Sequence, residues 1–249
     1  MQVENCLYLS HMTEQQPKKS IIKRVFKFIL YCFLASLAYT VVCKWVMPPI
    51  TITQLSSLVG GYGLKRDYVS WNEISPNAKL AAITSEDQLF PDHSGFDWKS
   101  IEKSMQEKKG RKKRLPKGAG ASTISQQVAK NVFLWQGHGI MRYIRKAPEV
   151  FYTAAIELIW GKERILDVYL NTIEMGPGIF GIEAASRTYF NKSAKNLTRA
   201  EAAMIIACLP NPKKFTVKPL SRRVAWRYPH IVAQMNNLDG DPDIEAIIH

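Results

Sequence analysis

Apolar residues are arranged along this chain in two different patterns. Near the N-terminus, residues 28–43 form an uninterrupted run without a charge, flanked by Lys27 and Lys44. From about residue 75 onward, apolar residues recur every three or four positions, as in ILDVYL at 165–170. That spacing is typical of amphipathic helices, and the alternation typical of strands is rare. The pattern predicts a mostly α domain preceded by one apolar helix.

The apolar run is long enough to span a bilayer. Its flanking lysines can snorkel toward the headgroups, which extends the helix to about 20 residues. A basic cluster precedes it, formed by Lys18, Lys19, Lys23, Arg24 and Lys27. Because such clusters stay in the cytoplasm, we expect a cytoplasmic segment at 1–24 and a transmembrane anchor at 25–47. A buried core helix is one alternative. A cleaved signal peptide is the other, although the residues after the run make a poor cleavage site.

The chain is strongly basic, with 34 Lys and Arg against 21 Asp and Glu and a formal net charge of +13. Such a surface attracts polyanions, which include nucleic acid, anionic lipid and phosphorylated substrates. The predicted anchor places the domain outside the cytoplasm, which argues against nucleic acid as a partner. The four cysteines show neither CxxC spacing nor a disulfide framework.

Helix-breaking residues divide the rest of the chain. Prolines follow the apolar run, and residues 48–69 are predicted to be a polar connector. The main domain is expected at 70–235, and an acidic tail at 236–249 is expected to be a solvated surface segment. Within the domain, Ser75 and Pro76 suit the N-cap and first position of a helix that reaches Glu86.

The segment with most chemistry is EDQLFPDHSGFD at 86–97. Its four carboxylates and His93 surround Phe90, directly after the apolar run at 80–83. Acidic groups beside apolar residues acquire shifted pKa values, so a general acid or base is expected here. By itself, the segment fits a solvated acidic turn equally well.

A polar helix face is predicted within GASTISQQVAKNVFL at 120–134. At about 100° per residue, Thr123, Gln127 and Lys130 fall on one side of the helix. A hydroxyl, an amide and an ammonium together suit a sugar linked to a phosphate. Small residues at 118–121 leave room for a ligand at the helix N-terminus, where anions are favoured. An ordinary exposed helix face is the alternative.

The sequence RKAPE at 145–149 forms a third block. Pro148 is predicted to open a helix, which places Glu149 in its first turn and Arg145 just before it. This helix is expected to stop at Gly161, where a second one begins. A helix-terminal acid placed for stability is the alternative role for Glu149.

Two shorter motifs do not fit their context. GPGIFG at 176–181 matches the GxGxxG pattern of dinucleotide sites, but it follows a predicted helix rather than a strand. SIEK at 100–103 matches the SxxK acylation motif but has no SDN or KTG partner. Neither motif is retained as a functional prediction.

Five motifs follow one another in a specific order. They are EDxxFxxHxGxD at 86–97, GASTISQQxAKN at 120–131, RKxxE at 145–149, KxxILxxYLN at 162–171 and EAAMIIACLPNPK at 201–213. Over about residues 70–230 the chain resembles the peptidoglycan glycosyltransferase domain in its monofunctional, membrane-anchored form. The resemblance implies a mostly α, lysozyme-like lobe with a small membrane-proximal jaw. The implied substrate is lipid II, a disaccharide-pentapeptide on polyprenyl pyrophosphate, which is polymerised into glycan strands.

The resemblance also implies residue roles. The reaction inverts the anomeric carbon as pyrophosphate leaves, so one base is enough, and Glu86 is expected to deprotonate the acceptor 4-hydroxyl. Lys130 and Arg145 are expected to bind the leaving pyrophosphate. Glu149 is expected to orient these cations or the donor sugar. Thr123 and Gln127 are expected to hold the substrate, and His93 and Asp87 are expected to shape the loop around Glu86. Asp87, Phe90 and His93 are also counted among the expected substrate-binding residues.

The resemblance implies a bacterial inner-membrane protein with its catalytic domain on the periplasmic side. Its expected partners are lipid II, the growing glycan chain and anionic lipids, the last through a basic run at 103–117. Cell-wall synthesis or division proteins are further candidates. No metal-ligand cluster is evident in the sequence, and Mg²⁺ or Mn²⁺ assisting the pyrophosphate stays an open alternative.

The chain departs from the family pattern at two positions. Asp167 stands where many relatives carry glutamate, and Pro148 occupies an open position of RKxxE. Two other functions also remain open. A lysozyme-like lytic glycosidase would need two carboxylates in a helical lobe, and a non-catalytic scaffold of the cell-wall machinery would need only the anchor.

Overall fold

The computed structural model describes residues 18–98, 102, 122–135 and 139–249 of the chain. It separates into two compact units, Met1–Val42 and Cys43–His249. The basic run at 103–117 and the small residues at 118–121 lie outside the described residues, as does most of the predicted cytoplasmic segment.

The first unit contributes helix α1, Lys18–Val42. Its stretch Lys23–Val42 is the one candidate membrane span within the described residues. Large apolar side chains along it are exposed, among them Phe28 and Tyr31. A core helix would bury such side chains in protein, whereas a lipid-spanning helix presents them to acyl chains. The helix therefore agrees with the predicted anchor and not with a core element.

The second unit is mostly helical, as predicted. Its helices are α2 Ile52–Val59, α3 Pro76–Glu86, α4 Ile124–Phe133, α5 Met141–Ile144, α6 Lys146–Ile159, α7 Lys162–Thr172, α8 Ile182–Phe190, α9 Arg199–Ala207, α10 Arg222–Asn237 and α11 Pro242–Ile248. Short 3-10 turns cover Trp71–Glu73 and Ala194–Asn196. The strands β1 Lys65–Arg66, β2 Glu174–Gly176 and β3 Ile179–Phe180 form a sheet in the order β1-β3-β2, in which β3 is parallel to β1 and antiparallel to β2.

Helix α3 lies at the centre of the core. Helices α9 and α10 pack against it, while α4 packs against α6 and α7. Its alanines at 78, 81 and 82 are fully buried, which lets neighbouring backbones approach closely. The N-terminus is capped as predicted, because the Ser75 hydroxyl accepts a hydrogen bond from the Asn77 amide and Pro76 opens the helix. The helix ends at Glu86, which places that carboxylate at the edge of the core.

Two segments that the sequence suggested to be irregular contain helices. Within the predicted connector, α2 docks on α4, where the Thr53 hydroxyl donates to the carbonyl of Asn131 at 3.2 Å. In the predicted solvated tail, α11 buries Ile244 and Ile248. The carbonyl of Ile248 accepts a hydrogen bond from buried Lys79 at 3.0 Å. Helices of seven or eight residues are unstable alone, so tertiary contacts rather than a local period determine them.

Helix α6 begins two residues earlier than predicted. It starts at Lys146, so Pro148 occupies the third helical position instead of the first. A proline fits there because the first amides of a helix have no acceptor within the helix. Arg145 has helical dihedral angles and joins α5 to α6. As a result, Arg145 and Glu149 lie four positions apart on one helical face.

The GxGxxG sequence forms the β2–β3 hairpin. Gly178 has a φ of +68°, and a Cβ at this position would lie 2.1 Å from the carbonyl oxygen of Tyr62. A glycine is therefore required for the close approach of two backbone segments. This packing accounts for the motif without any nucleotide.

Within the second unit, Arg164 binds the backbone just after α1. The carbonyl of Cys43 accepts two hydrogen bonds from Arg164, at 3.1 Å from Nε and 3.0 Å from Nη2. Arg164 is held in turn by Asp167, 2.6 Å away, and the other Asp167 oxygen accepts from Asn171 at 2.9 Å. Burial raises the pKa of Asp167, and Arg164 opposes that shift. The aspartate at this position of the fourth motif therefore has a structural partner on each oxygen.

The burial of Lys79 in the core makes the free energy of unfolding depend on pH. Its Nζ lies 3.6 Å from the ring centroid of Trp71, and burial lowers its pKa from 10.5 to about 8, although Glu163 and Asp167 oppose the shift. Between these two pH values the unfolded chain keeps a proton that the folded chain has released. The free energy of unfolding therefore rises with pH in that window.

We expect the Lys79→Met variant to lack this rise. In denaturant unfolding of the detergent-solubilised protein, the wild type should gain stability relative to the variant between about pH 8 and 10.5. Lys214→Met, at an exposed lysine, should follow the wild-type curve. A difference between wild type and Lys79→Met that stays constant with pH would contradict this assignment.

Candidate active site

Glu86 is held in one orientation by three donors. Its side chain is 14% exposed at the end of α3. Oε1 accepts hydrogen bonds from Nη2 of Arg227 and from the hydroxyl of Ser85, each at 3.1 Å. Oε2 accepts from Nε2 of Gln127 at 3.1 Å. A carboxylate has about four lone-pair sites, so this arrangement leaves room to accept a proton from a ligand.

Arg227 contacts Glu86 and was not among the predicted site residues. It lies on α10, in the buried stripe formed by Val224, Arg227, Ile231 and Met235. Besides Glu86, its Nη2 contacts the Ser85 hydroxyl at 2.8 Å. An arginine at a position of the apolar stripe is the signal that could have found it, because a buried cation needs an acidic partner.

Gln127 and Tyr169 extend this network away from Glu86. The Oε1 of Gln127 accepts a hydrogen bond from the hydroxyl of Tyr169 at 3.3 Å. Tyr169 lies on α7 and is fully buried, and burial, followed by the charge of Glu86, raises its pKa well above the usual value. The phenol therefore keeps its proton and acts only as a neutral donor or acceptor.

Asp87 connects the acidic loop to α4. Its Oδ2 accepts the backbone amide of Ile124, the first residue of that helix, at 2.9 Å. Its Oδ1 lies 2.9 Å from Nε2 of His93, and the amide of Gly95 donates to Nδ1 of His93 at 3.1 Å. Because Nδ1 accepts a hydrogen bond, the neutral imidazole carries its hydrogen on Nε2. The Nε2–H group donates a hydrogen bond to Asp87. The helix dipole and the histidine thus hold the same carboxylate.

Thr123 closes the same connection from the other side. As N-cap of α4 it accepts the amide of Gln126, and its hydroxyl donates to the carbonyl of Gly95 at 2.7 Å. Gly95 has a φ of +87°, and a Cβ there would lie 2.8 Å from Cγ2 of Thr153. Only glycine lets the loop approach α6 so closely. Thr123 is buried by these contacts, and its expected contact with substrate stays a prediction.

Phe90 and Lys162 pack against His93 and hold the acidic loop at 86–97 in place. Phe90 is fully buried and stands edge-on to His93, with 6.4 Å between the ring centroids. The Nζ of Lys162 lies 4.6 Å from the Phe90 ring centroid. It also donates to the carbonyl of His93 and to Glu157, the latter at 2.9 Å. In this arrangement Phe90 shapes the loop, and its expected contact with substrate is likewise still a prediction.

A cavity of about 350 Å³ lies beside this network. Its lining is Ser122, Gln126, Gln127, Lys130, Arg142, Tyr143, Arg145, Lys146 and Glu149. Four of these side chains are cationic and one is a carboxylate, so the cavity favours an anionic ligand. Of the residues expected to bind substrate, Gln127, Lys130 and Arg145 line it together with Glu149, whereas Thr123 does not.

Lys130 links the cavity to both glutamates electrostatically. Burial lowers the pKa of its ammonium, and the charge of Glu149 opposes that shift most strongly. Arg145 lowers the pKa further, and Glu86 raises it. The same cation therefore interacts with the two acids that the sequence analysis selected, although they lie on different helices.

Glu149 is occupied by cations. Its Oε1 accepts from Nζ of Lys146, and its Oε2 lies 3.7 Å from Nε of Arg145. Arg145 also donates through Nη1 to the carbonyl of Trp135 at 3.0 Å. Glu149 itself is buried. Its contacts suit a residue that orients the cations of the cavity.

Metal ligands are not grouped at this site. Within residues 18–98, 122–135 and 139–249 no cluster of three His, Cys, Asp or Glu side chains could hold an ion. Mg²⁺ or Mn²⁺ assisting the pyrophosphate stays an open alternative.

Comparison with known proteins identifies a family for this chain. The family model described as Transglycosylase matches residues 53–236. The chain is 40% identical over 229 residues to a biosynthetic peptidoglycan transglycosylase of Pseudomonas aeruginosa, covering 90% of this chain and 96% of that protein. Proteins of the same name are 42% identical over 226 residues in Shewanella oneidensis (87% and 94% covered) and 49% over 181 residues in Escherichia coli (73% and 72% covered). The matched region contains Glu86, the cavity and Arg227, and the chain belongs to the transglycosylase family.

Proposed function

We propose that this protein polymerises lipid II into peptidoglycan glycan strands by inverting glycosyl transfer. Membership of the transglycosylase family and the names of the relatives support this activity. One observation carries the mechanism: Glu86 is joined through Gln127 to a cavity lined by four cations. That juxtaposition provides a base beside a binding place for a pyrophosphate.

Glu86 is the general base of the proposed reaction. The 4-hydroxyl of the acceptor attacks the anomeric carbon of the growing chain and gives its proton to the Glu86 carboxylate. The new glycosidic C–O bond forms as the bond from that carbon to the pyrophosphate oxygen breaks, and the leaving group takes the electron pair. The three donors on Glu86 fix its position before the substrate arrives, which lowers the entropic part of the barrier.

The cations of the cavity stabilise the leaving pyrophosphate. Negative charge increases on its oxygens as the bond breaks, so preorganised cations act mainly on the transition state. Arg145 offers a planar fork to phosphate oxygens, whereas Lys130 acts as a point charge. Glu149 holds Arg145 and Lys146 in place, which agrees with an orienting role.

The membrane location follows from the same chemistry. We propose that α1 anchors the protein in the bacterial inner membrane with its N-terminus in the cytoplasm and the catalytic unit on the periplasmic side. A polyprenyl-linked substrate stays in the bilayer, so an anchored enzyme meets it by lateral diffusion. Anionic lipids at the basic run 103–117, and proteins of cell-wall synthesis or division, are further proposed partners.

A lytic glycosidase is less well supported. Such an enzyme needs one carboxyl group that donates a proton to the leaving sugar oxygen. Glu149, the other selected acid, is engaged by Lys146 and Arg145 instead. A non-catalytic scaffold would have no use for a carboxylate fixed beside a cationic cavity.

The lytic alternative is tested by incubating the protein with finished glycan. We expect no shorter fragments to form.

The Glu86→Gln variant tests the proposed base. The amide keeps the volume of the side chain but cannot take the proton, so the rate of polymer formation from labelled lipid II should fall by about 100-fold to 10,000-fold. Asp92→Asn, at an exposed carboxylate of the same loop, is the matched control and should polymerise normally. Wild-type polymerisation by Glu86→Gln would show that the mechanism is wrong.

Arg227→Lys tests how Glu86 is positioned. Lysine keeps the charge but loses the shared contact of Nη2 with Ser85 and Glu86. We expect kcat to fall about tenfold to a hundredfold with little change in KM, as for the loss of a hydrogen bond to a charged group. Arg222→Lys, exposed on the same helix, should behave as wild type. An unchanged kcat in Arg227→Lys would remove Arg227 from the site.

A further inference from the structure

The amide of Gln127 lies between two groups of different hydrogen-bonding ability. On one side the Glu86 carboxylate, when ionised, can only accept, and it lies 3.1 Å from Nε2. On the other side the Tyr169 hydroxyl lies 3.3 Å from Oε1. A glutamine amide can rotate by 180° and exchange its oxygen and nitrogen. Rotation here would direct the carbonyl oxygen at the carboxylate, replacing a hydrogen bond with repulsion.

Tyr169 is fixed as a donor to that amide. It is 1% exposed, and its raised pKa keeps the phenol protonated at neutral pH and well above it. Since Gln127 must direct its NH₂ group at Glu86, the hydroxyl hydrogen of Tyr169 points at Oε1. The direction of both hydrogen bonds is therefore fixed: Tyr169 donates to Gln127, and Gln127 donates to Glu86.

We propose that Tyr169 is a positioning residue of the transfer reaction, whose hydroxyl holds the Gln127 amide in the orientation that donates to Glu86. This inference rests on the proposed role of Glu86 as general base. Tyr169 does not line the cavity, so it acts through Gln127 and not on the substrate. Gln127 lines the cavity and contacts the base, so its orientation affects both.

Other groups around Glu86 are compatible with a test by pH. Arg227 on α10 and Lys130 on α4 are cations that interact with Glu86 or its network, and Asp87 adds a negative charge near Tyr169. Cys208, at the end of α9, also interacts with Glu86, and burial raises the pKa of its thiol to about 12. Tyr169 and Cys208 therefore do not titrate near neutral pH. His93 contacts Asp87 in the same network, so the acidic limb of each variant is compared directly with that of the wild type.

Tyr169→Phe is the decisive variant. Losing the hydroxyl frees the Gln127 amide to rotate, so the Glu86 carboxylate loses a hydrogen bond that stabilises its ionised form. In the pH profile of kcat/KM for lipid II polymerisation, the acidic limb should move upward by roughly 0.5–1 unit. At a pH on that limb, kcat/KM should fall about threefold to tenfold.

Tyr189→Phe is the matched control. Its hydroxyl is also buried and donates to the carbonyl of Met175 at 2.9 Å, so both variants lose one buried phenol hydrogen bond. That hydrogen bond leads to the β2 backbone and not to Glu86 or Gln127. We expect similar losses of thermal stability in the two variants, but a displaced acidic limb only in Tyr169→Phe. An acidic limb that coincides with that of the wild type would overturn the proposal.

The route through Gln127 is tested by a double variant. Gln127→Met should displace the limb in the same direction, and adding Tyr169→Phe should displace it no further. Fully additive displacements would also overturn the proposal, because Tyr169 would then act by another path. If Glu86→Gln is inactive while the Tyr169→Phe limb is unmoved, only this inference fails. If Glu86→Gln is active, the proposed function itself fails.

Discussion

The site depends on the carboxylate of Asp87. One of its oxygens binds the first amide of α4, and the other binds the imidazole of His93, so a single side chain holds a helix and a loop together. Because α4 carries Gln127 and Lys130, that contact joins the helix of the cavity to the loop that follows Glu86. The residue next to the proposed base therefore helps to hold both parts of the site together. A charge at a helix N-terminus is a stable way to do this, since the helix dipole favours it.

The two glutamates of the site have neighbours of different charge. Glu86 faces one arginine and two neutral donors, whereas Glu149 lies among the cations of the cavity. Lys130 interacts with both acids. Such an arrangement lets one carboxylate accept a proton while the other keeps positive charge directed at a phosphate. The different neighbours of the two glutamates are what the different proposed roles require.

Local signals predicted much of this architecture. The predicted helical class and the cap at Ser75 are confirmed. The motif at 86–97 and the polar face of α4 are also short-range patterns, and they selected Glu86, Gln127 and Lys130 as candidates. Thr123, predicted on the same face, caps the helix and does not line the cavity. The apolar stripe around Arg227 marks it as buried, but its acidic partner lies 141 residues away, so no local pattern pairs the two. The helix in the acidic tail was missed for a related reason, since its stability comes from contacts with α3. Pro148 was expected at the first helical position, where proline is commonest, but the third position also tolerates it because the first four amides of a helix have no acceptor within the helix.

The double hydrogen bond from Arg164 to the carbonyl of Cys43 also has a mechanical meaning. A tensile load applied to the chain at Cys43 is not carried by the backbone alone, because the guanidinium diverts part of it to Asp167. Asp167 lies two residues before Tyr169 on α7, and the Tyr169 hydroxyl donates to the Gln127 amide. The helix that receives this load is therefore the same helix that carries the residue proposed to position the Gln127 amide.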